Sequence, residues 1–306
     1  VQSEVTVATR DDLALGLAGA AIAVTVWGSS GVIVKHVDMG GLALAGYRFV
    51  IYAVLMLVVL GSRGNRLSWR AMRHSFWGGM SLAVDVALFF TAVKLTSIVN
   101  TTVIGAMQPV VVGVVAARFF GERIRGRDVI AGGIALLGVL LVVTESSASD
   151  SWSLKGDLAA TGALFAWSGY FIFSRRSQGR VSPSEYTAAT AVYTGVFNGA
   201  LAIAVGQDVS WPDSESLVWI LVLAIGAGAL GHSLMNWSLV RIPLWIGSTF
   251  TLLIPVVASG LAWLALDESL TALQVAGMVV VVGALAVIVW NQSSVDRHSS
   301  GAAARS

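Results

Sequence analysis

The chain has no cysteine, which excludes disulfides and every thiolate site, whether nucleophile or metal ligand. Charge is scarce too: only 12% of the 306 residues are Asp, Glu, Lys or Arg, against about 25% in soluble domains. The histidines, His36, His74, His232 and His298, share no metal-ligand spacing. No glycine-rich phosphate loop ends in Lys-Ser or Lys-Thr, and there is no nucleophile elbow. These absences argue against an enzyme, against a metal or cofactor centre, and against ATP-driven transport by this chain alone. A net charge of +2, with the arginines confined to short segments, offers no basic face for nucleic acid.

Apolar surface is what the chain has in excess: it is 56% hydrophobic, with a mean hydropathy of +0.79. A membrane-spanning helix needs about 20 mostly apolar residues. Ten windows meet that need: 13–34, 40–61, 75–94, 97–118, 127–144, 156–174, 184–206, 217–239, 243–266 and 271–290. Little lies outside them, so the expected fold class is an all-α membrane protein with ten transmembrane helices and no soluble domain. The first window follows Arg10-Asp11-Asp12 and has full span length, which fits a retained span rather than a cleaved signal. The polar segment 293–306 is expected to be a disordered tail.

Charge sets the expected orientation, because cytoplasmic loops collect Lys and Arg. With the N-terminus inside, fifteen of the 19 basic residues fall on the cytoplasmic side; only Lys35, Lys94 and Lys155 fall outside, and Arg48 lies within a span. Both termini are therefore expected in the cytoplasm of a multi-pass protein of the cytoplasmic (inner) membrane. The two halves also repeat. Trp27 matches Trp167, Pro109 matches Pro255 and Glu122 matches Glu268. Each half holds five spans, an odd number, so the second must enter the membrane upside down. The loops agree: 61–75 carries four arginines, whereas 207–216 carries Asp208, Asp213 and Glu215 and no basic residue. The expected domains are a first repeat over 13–144 and a second over 156–290, inverted about a central cavity, as in alternating-access carriers.

These residues resemble the drug/metabolite transporter superfamily, specifically its ten-helix EamA-type exporters. The likeness runs over roughly 13–290 as two tandem EamA-like units. It is carried by Trp27-Gly28, Tyr47-Arg48-Phe49, "AVKLTS" at 92–97 and Pro109 with Gly121-Glu122. "GGIALLGVLLV" at 132–142, "KGDLAATGALFAWSGYFIFSRR" at 155–176 and Pro255 with Asp267-Glu268 complete it. The chain departs from the pattern at Asp267, where the family usually has Gly. The resemblance implies ten helices around a central cavity and export of small metabolites such as amino acids.

Polar residues at midspan are the candidates for function, since a charge there costs about 2.5–3.5 kcal/mol on insertion scales. Asp85 lies near the centre of the third span. Its repeat position is 231, next to His232, and both residues stand about 13 Å from a basic boundary residue. They are expected as substrate-polarising and proton-coupling groups. Bonding of Asp85 to a neighbouring helix, and packing of His232 on Asn236, are the structural alternatives. Arg48 could snorkel, cap carbonyls, pair with Asp85 or hold a substrate carboxylate. Ser97, Thr101, Gly105 and Gln108 form one helix face, with Pro243, Gly247, Thr251 and Ile254 as counterparts. Thr101, Gln108 and Thr251 are cavity-wall candidates, and close helix packing is expected at Gly105 and Gly247. Thr187, Thr190, Thr194 and Asn198 form a stripe suited to interhelical bonding.

Trp27 and Trp167 lie deep within symmetry-related spans and are expected to wall a cavity, joined by Phe89 and by Trp237 beside Asn236. Trp77, Trp219, Trp245 and Trp290 are expected as interface anchors. Glu122 and Glu268 should cap the helices that follow them. The implied function is a secondary transporter exporting a small organic metabolite, possible proton coupling included. A non-transporting scaffold or receptor, or an importer, are the alternatives. The expected partners are a small-molecule substrate and the lipid bilayer, with no nucleic acid.

Overall fold

The computed structural model describes residues 10–34, 36–144, 153–266 and 269–303. Among these residues every regular element is helical. The first half comprises α1 (Arg10–Val34), α2 (Gly41–Ser62), α3 (Trp69–Leu95), α4 (Ile98–Gly105), α5 (Gln108–Phe119) and α6 (Gly126–Thr144). The second comprises α7 (Leu154–Ser177), α8 (Pro183–Ala204), α9 (Ser214–Leu223), α10 (Ser233–Ser238), α11 (Leu244–Thr249), α12 (Leu253–Leu266) and α13 (Ala272–Ala303). A π-helical stretch, Ala224–His232, joins α9 to α10, and a 3₁₀ turn, Phe250–Leu252, joins α11 to α12.

Among the described residues nine segments are long and apolar enough to cross a membrane. The chain is a multi-pass membrane protein. The expected sixth span is α7, which has the length, 24 residues, but is too polar to qualify with the others. Its polar side chains face protein: Ser168, Tyr170, Ser174 and Ser177 are all buried. At the C-terminus the helix α13 runs through Ala303, so the backbone stays helical in the stretch from Ser293 for which disorder was expected. Extending a helix that the preceding span has already nucleated is far easier than starting one.

Local sequence starts these helices. Ser68, Ser97 and Ser153 each accept a hydrogen bond from the backbone N–H three residues on, opening α3, α4 and α7. Ser182 and Glu185 form a reciprocal capping box at α8, followed by Pro183 at the first helical position. Asp213 opens α9; the backbone N–H groups of Ser216 and Glu215 hold its carboxyl below the usual carboxylate range.

The most extensive helix contacts join the first half to the second: α3 with α7 and α8, α2 with α8, α6 with α13, and α1 with α12, α10 and the π segment. Hydrophobicity does not distinguish a helix neighbour from lipid, so close approach of backbones carries this packing. A Cβ on Gly46 of α2 would lie 2.9 Å from the Cα of Gly199 on α8, and one on Gly195 would lie 2.9 Å from Val50 N. Gly195 and Gly199 are a small-xxx-small pair. Between α6 and α13 the Gly138 and Gly277 backbones approach as closely. The packing expected at Gly247 is present, against Leu239, whereas Gly105 has open space beside it. The α8 stripe bonds across helices: Thr194 Oγ1 donates to Gly79 O at 3.4 Å and Asn198 Nδ2 to Ala83 O at 3.2 Å.

Glu122 differs from expectation in an informative way. It caps a helix, but in the opposite half: its carboxylate accepts from Leu244 N at 2.8 Å and Trp245 N at 3.1 Å, at the start of α11. Gly121, with φ of +67°, makes the left-handed turn that precedes it. Arg175, at the end of α7, lies 3.4 Å from the same carboxylate and donates to Leu239 O at 2.9 Å. One acid thus ties three elements. Asp267 and Glu268, its expected counterparts, lie outside the described residues. Removing the carboxylate should strip α11 of its cap and leave a half-buried guanidinium unpaired. Glu122→Ala is expected to destabilise the protein by about 1–3 kcal/mol, measured as a lower thermal midpoint in detergent; an unchanged midpoint would contradict this role.

Candidate functional site

The two halves meet around His232, the last residue of the π segment. Its ring centroid lies 5.0 Å from that of Trp27 on α1, 5.5 Å from Tyr170 and 6.3 Å from Trp167 on α7. From α2, Tyr52 stacks on it at 5.8 Å with 14° between planes, and Phe49 lies at 5.9 Å. Trp27 and Trp167 meet edge to face at 5.2 Å, and Trp167 stacks on Tyr170 at 5.5 Å. The rings pack against each other and fill this region. His232 is 3% exposed and Trp27 8%.

The π segment helps to build this enclosure. A π turn widens the helix and often marks a functional position. Trp27 Nε1 donates to Ala227 O within it at 3.0 Å. Gly231 is required beside that bond, since a Cβ there would lie 2.6 Å from Trp27 Nε1.

A chain of hydrogen bonds leads away from His232. Asn236 Nδ2 donates to Tyr170 Oη at 2.8 Å, which leaves the phenol proton for His232 Nδ1, 3.1 Å away. With the phenol proton placed on that bond, the imidazole carries its own proton on Nε2, a tautomer assigned from the hydrogen-bond pattern rather than observed. Asn236 also donates to Thr187 Oγ1 at 3.0 Å and accepts from Ser174 Oγ at 2.8 Å. Beyond them, Ser174, Asn236 and Tyr186 line a cavity of about 80 Å³ reaching the α7–α8 turn.

A second locus sits at the broken spans. Gln108, at the start of α5, accepts from Thr251 Oγ1 at 2.9 Å. Thr251 belongs to the 3₁₀ turn of the other half; Gln108 directly precedes Pro109, and Thr251 lies one helical turn before Pro255. Gln108 is fully buried and its Nε2 has no partner. Gly28, next to Trp27, packs on Ile254 O and Val257, linking this locus to the aromatic one. Arg48 stands at the edge of the aromatic group. Its guanidinium lies 5.1 Å from the Phe49 ring, its Nε is buried without a partner, and its charge reaches Tyr52 and His232.

Of the residues singled out from sequence, Trp27, Trp167, His232 and Asn236 come together, as do Gln108 and Thr251. His232 and Asn236 are joined by hydrogen bonds through Tyr170 Oη. Thr101 is buried and bonds its own helix at Ser97 O, 3.1 Å away. Asp85 is half-buried on α3, with no hydrogen bond or ion pair among the described residues, and neither His232 nor Arg48 is its partner. Phe89 is 45% exposed, and its ring neighbour is Phe90, not the His232 group. Trp237 also turns away: Arg241 covers its ring at 3.7 Å, and it packs on Gly19. Trp77 and Trp290 are exposed, as interface anchors require, but Trp245 is only 4% exposed. Its helix begins inside the bundle, on the Glu122 cap, so a position near a span end does not bring it to lipid.

Sequence reading missed Tyr52, Tyr170 and Phe49. The available signal was spacing: Tyr170 follows Trp167 by one helical turn, and Tyr52 follows Arg48 in the same way. Among the described residues no group of His, Asp and Glu is placed to hold a metal ion.

A multi-pass helical bundle whose halves close on a polar, aromatic interior defines the class: an integral membrane protein with its polar side chains gathered where the halves meet. The EamA-like transporter family model matches residues 14–144 and again 154–290, and the chain belongs to that family. Its relatives include the Bacillus subtilis "Uncharacterized transporter YyaM", 27% identical over 78% of this chain and 81% of that protein. The Salmonella typhimurium "Probable amino-acid metabolite efflux pump" is 25% identical over 89% of this chain and 93% of that one. The Ancylobacter novellus "Aromatic amino acid exporter YddG" is 27% identical over 49% and 52%. A protein of known crystal structure shares the fold with a TM-score of 0.77 at 20% identity, over 90% of this chain and 96% of that one.

The glycine beside Trp27 gives a test of the enclosure. Gly231→Ala is expected to displace the Trp27 ring and break its bond to Ala227, at a cost of about 1–3 kcal/mol. Solute flux should fall while helix content by circular dichroism is kept; full flux in this variant would remove the Trp27–Ala227 contact from the site.

Proposed function

We propose that the chain is a secondary carrier that exports a small organic metabolite, an amino acid or a related compound, across the cytoplasmic membrane. The observation that carries this reading is the aromatic enclosure of His232 where the two halves meet, with a polar chain running from it toward one end. Such an enclosure answers each part of an amino acid. The faces of Trp27, Trp167 and Tyr52 attract an ammonium group and accept an apolar side chain. Arg48 has a free Nε–H for a carboxylate, and Gln108 a free amide donor. The names of two relatives, an amino-acid metabolite efflux pump and an aromatic amino acid exporter, support the substrate class and the direction.

Alternating access of two inverted five-helix repeats is the proposed mechanism. Its support is the doubled family match together with a contact pattern that survives exchange of the halves. Counterpart spans meet across the bundle: α2 with α8, the broken fourth and ninth spans through α5 and α11, and α6 with α13. The contact of α3 with α7 has its equivalent in that of α1 with the π segment and α10. In this reading α7 completes the ten spans. The arginine-rich turns, including those carrying Arg73, Arg176 and Arg180 around one cavity, face the cytoplasm together with both termini. The closed rings correspond to an occluded conformation, and substrate entry requires their separation.

Asp85 is the proposed proton-coupling group, with His232 as the second titratable residue. An unpaired half-buried carboxyl can exchange its proton as access alternates, whereas His232 is wired to Tyr170. In liposomes the purified protein is expected to catalyse counterflow of a labelled aromatic or aliphatic amino acid. No flux of any compound in a broad metabolite panel would leave a scaffold or receptor in place of a carrier. Asp85→Asn is expected to keep counterflow but lose its acceleration by an imposed pH gradient; an unaltered pH response would take Asp85 out of the coupling.

A further inference from the structure

The first turns of α3 and the last turns of α7 enclose a cavity of about 520 Å³ that the carrier reading leaves unused. Arg73, His74, Arg176 and Arg180 line it, with Trp77 and Phe173. Spacing puts these residues there: Arg73 and Trp77 are four apart on one face of α3, and Phe173 and Arg176 three apart on α7. The three arginines are exposed and make no ion pair among the described residues. Arg175 and Arg241, by contrast, are held by Glu122 and Asp12; what sets the three apart is that they converge on one concavity. Three unneutralised guanidinium groups around one concavity repel each other, and the N-terminus of α3, one turn away, adds positive potential. Such an arrangement is relieved by an anion.

The other wall decides which anion. Trp77 and Phe173 stack with centroids 6.5 Å apart and 26° between planes, and Trp77 is 63% exposed. An exposed tryptophan two turns into a span lies at the level of lipid headgroups and upper acyl chains. A free phosphate ion would use the arginines but gain nothing from the aromatic shelf. We infer that this cavity binds an anionic phospholipid of the adjoining leaflet. The guanidinium groups of Arg73, Arg176 and Arg180 take the phosphodiester in forked hydrogen bonds. Trp77 and Phe173 take the glycerol and the first methylene groups. The site requires only the membrane-embedded bundle and is independent of what is carried or in which direction.

Native mass spectrometry of the full chain in detergent, with phosphatidylglycerol or phosphatidylcholine added, tests the assignment. The variant Arg73→Gln/Arg176→Gln/Arg180→Gln is expected to retain phosphatidylglycerol at least about tenfold more weakly than the unaltered chain. The charge-matched Arg123→Gln/Arg125→Gln/Arg127→Gln, which removes arginines outside the cavity, should retain it fully. If the triple variant does not fold, Arg180→Gln alone, altering an exposed turn residue, should weaken retention about fivefold. Undiminished retention in the cavity variants would overturn the site. So would equal loss in the control, or phosphatidylcholine held as tightly. Thermal protection by inorganic phosphate matching that by phosphatidylglycerol would overturn the lipid as its ligand.

Discussion

Hydrocarbon offers no hydrogen bond to a backbone N–H or C=O, so a break in a membrane helix survives only where protein or enclosed water covers it. Among the described residues three spans depart from continuous α-helix, at Ala106-Met107, at Ala224–His232 and at Phe250–Leu252. Each departure is covered from the opposite half. Trp27 of α1 bonds a carbonyl of the π segment, and Gln108 bonds Thr251 across the two proline-flanked breaks. The halves therefore interlock at these departures, and the irregular backbone gathers where they meet. That is also where the polar and aromatic side chains gather, so the site and the interface have one cause.

Glycine fixes how closely the halves approach. Lipid competes on equal terms for apolar side chains, and tight contact of backbones replaces burial as the driving term. Gly46 against Gly199 and Gly138 against Gly277 bring α2 to α8 and α6 to α13. Glu122 adds a polar fastening at one end, where a carboxylate meets the positive end of α11 and the guanidinium of Arg175. At the other end Gln207 Oε1 accepts from Leu42 N and Ala43 N, capping α2 from the loop after α8. Both fastenings tie a loop of one half to a helix start of the other.

Much of this was legible in the chain itself. Hydropathy located the spans, and two tryptophans and two prolines at matching places pointed to the region where the halves converge. The polar α7 needed its length and its place in the repeat to be recognised, because its serines and tyrosines face protein and depress its hydropathy. Direction of side chains was not legible. Asp85 and His232 occupy nearly equivalent positions, yet only His232 enters the aromatic group. Trp245 lies near a span end and is buried, while Phe89 lies near a span centre and is exposed. Periodicity gives a helix its face but not its rotation relative to a partner, and that rotation is set by contacts far apart in sequence. Tyr170, which joins His232 to Asn236, was hidden for the same reason.

The widened turn at Ala224–His232 has no counterpart in the first half, where α3 is continuous from Trp69 to Leu95. One copy of the module is a plain rod and the other is a rod with a looser coil wound into it, braced by an indole from its neighbour. An exchange of roles between the two copies would therefore not be symmetric, because one of them alone carries the loosened coil.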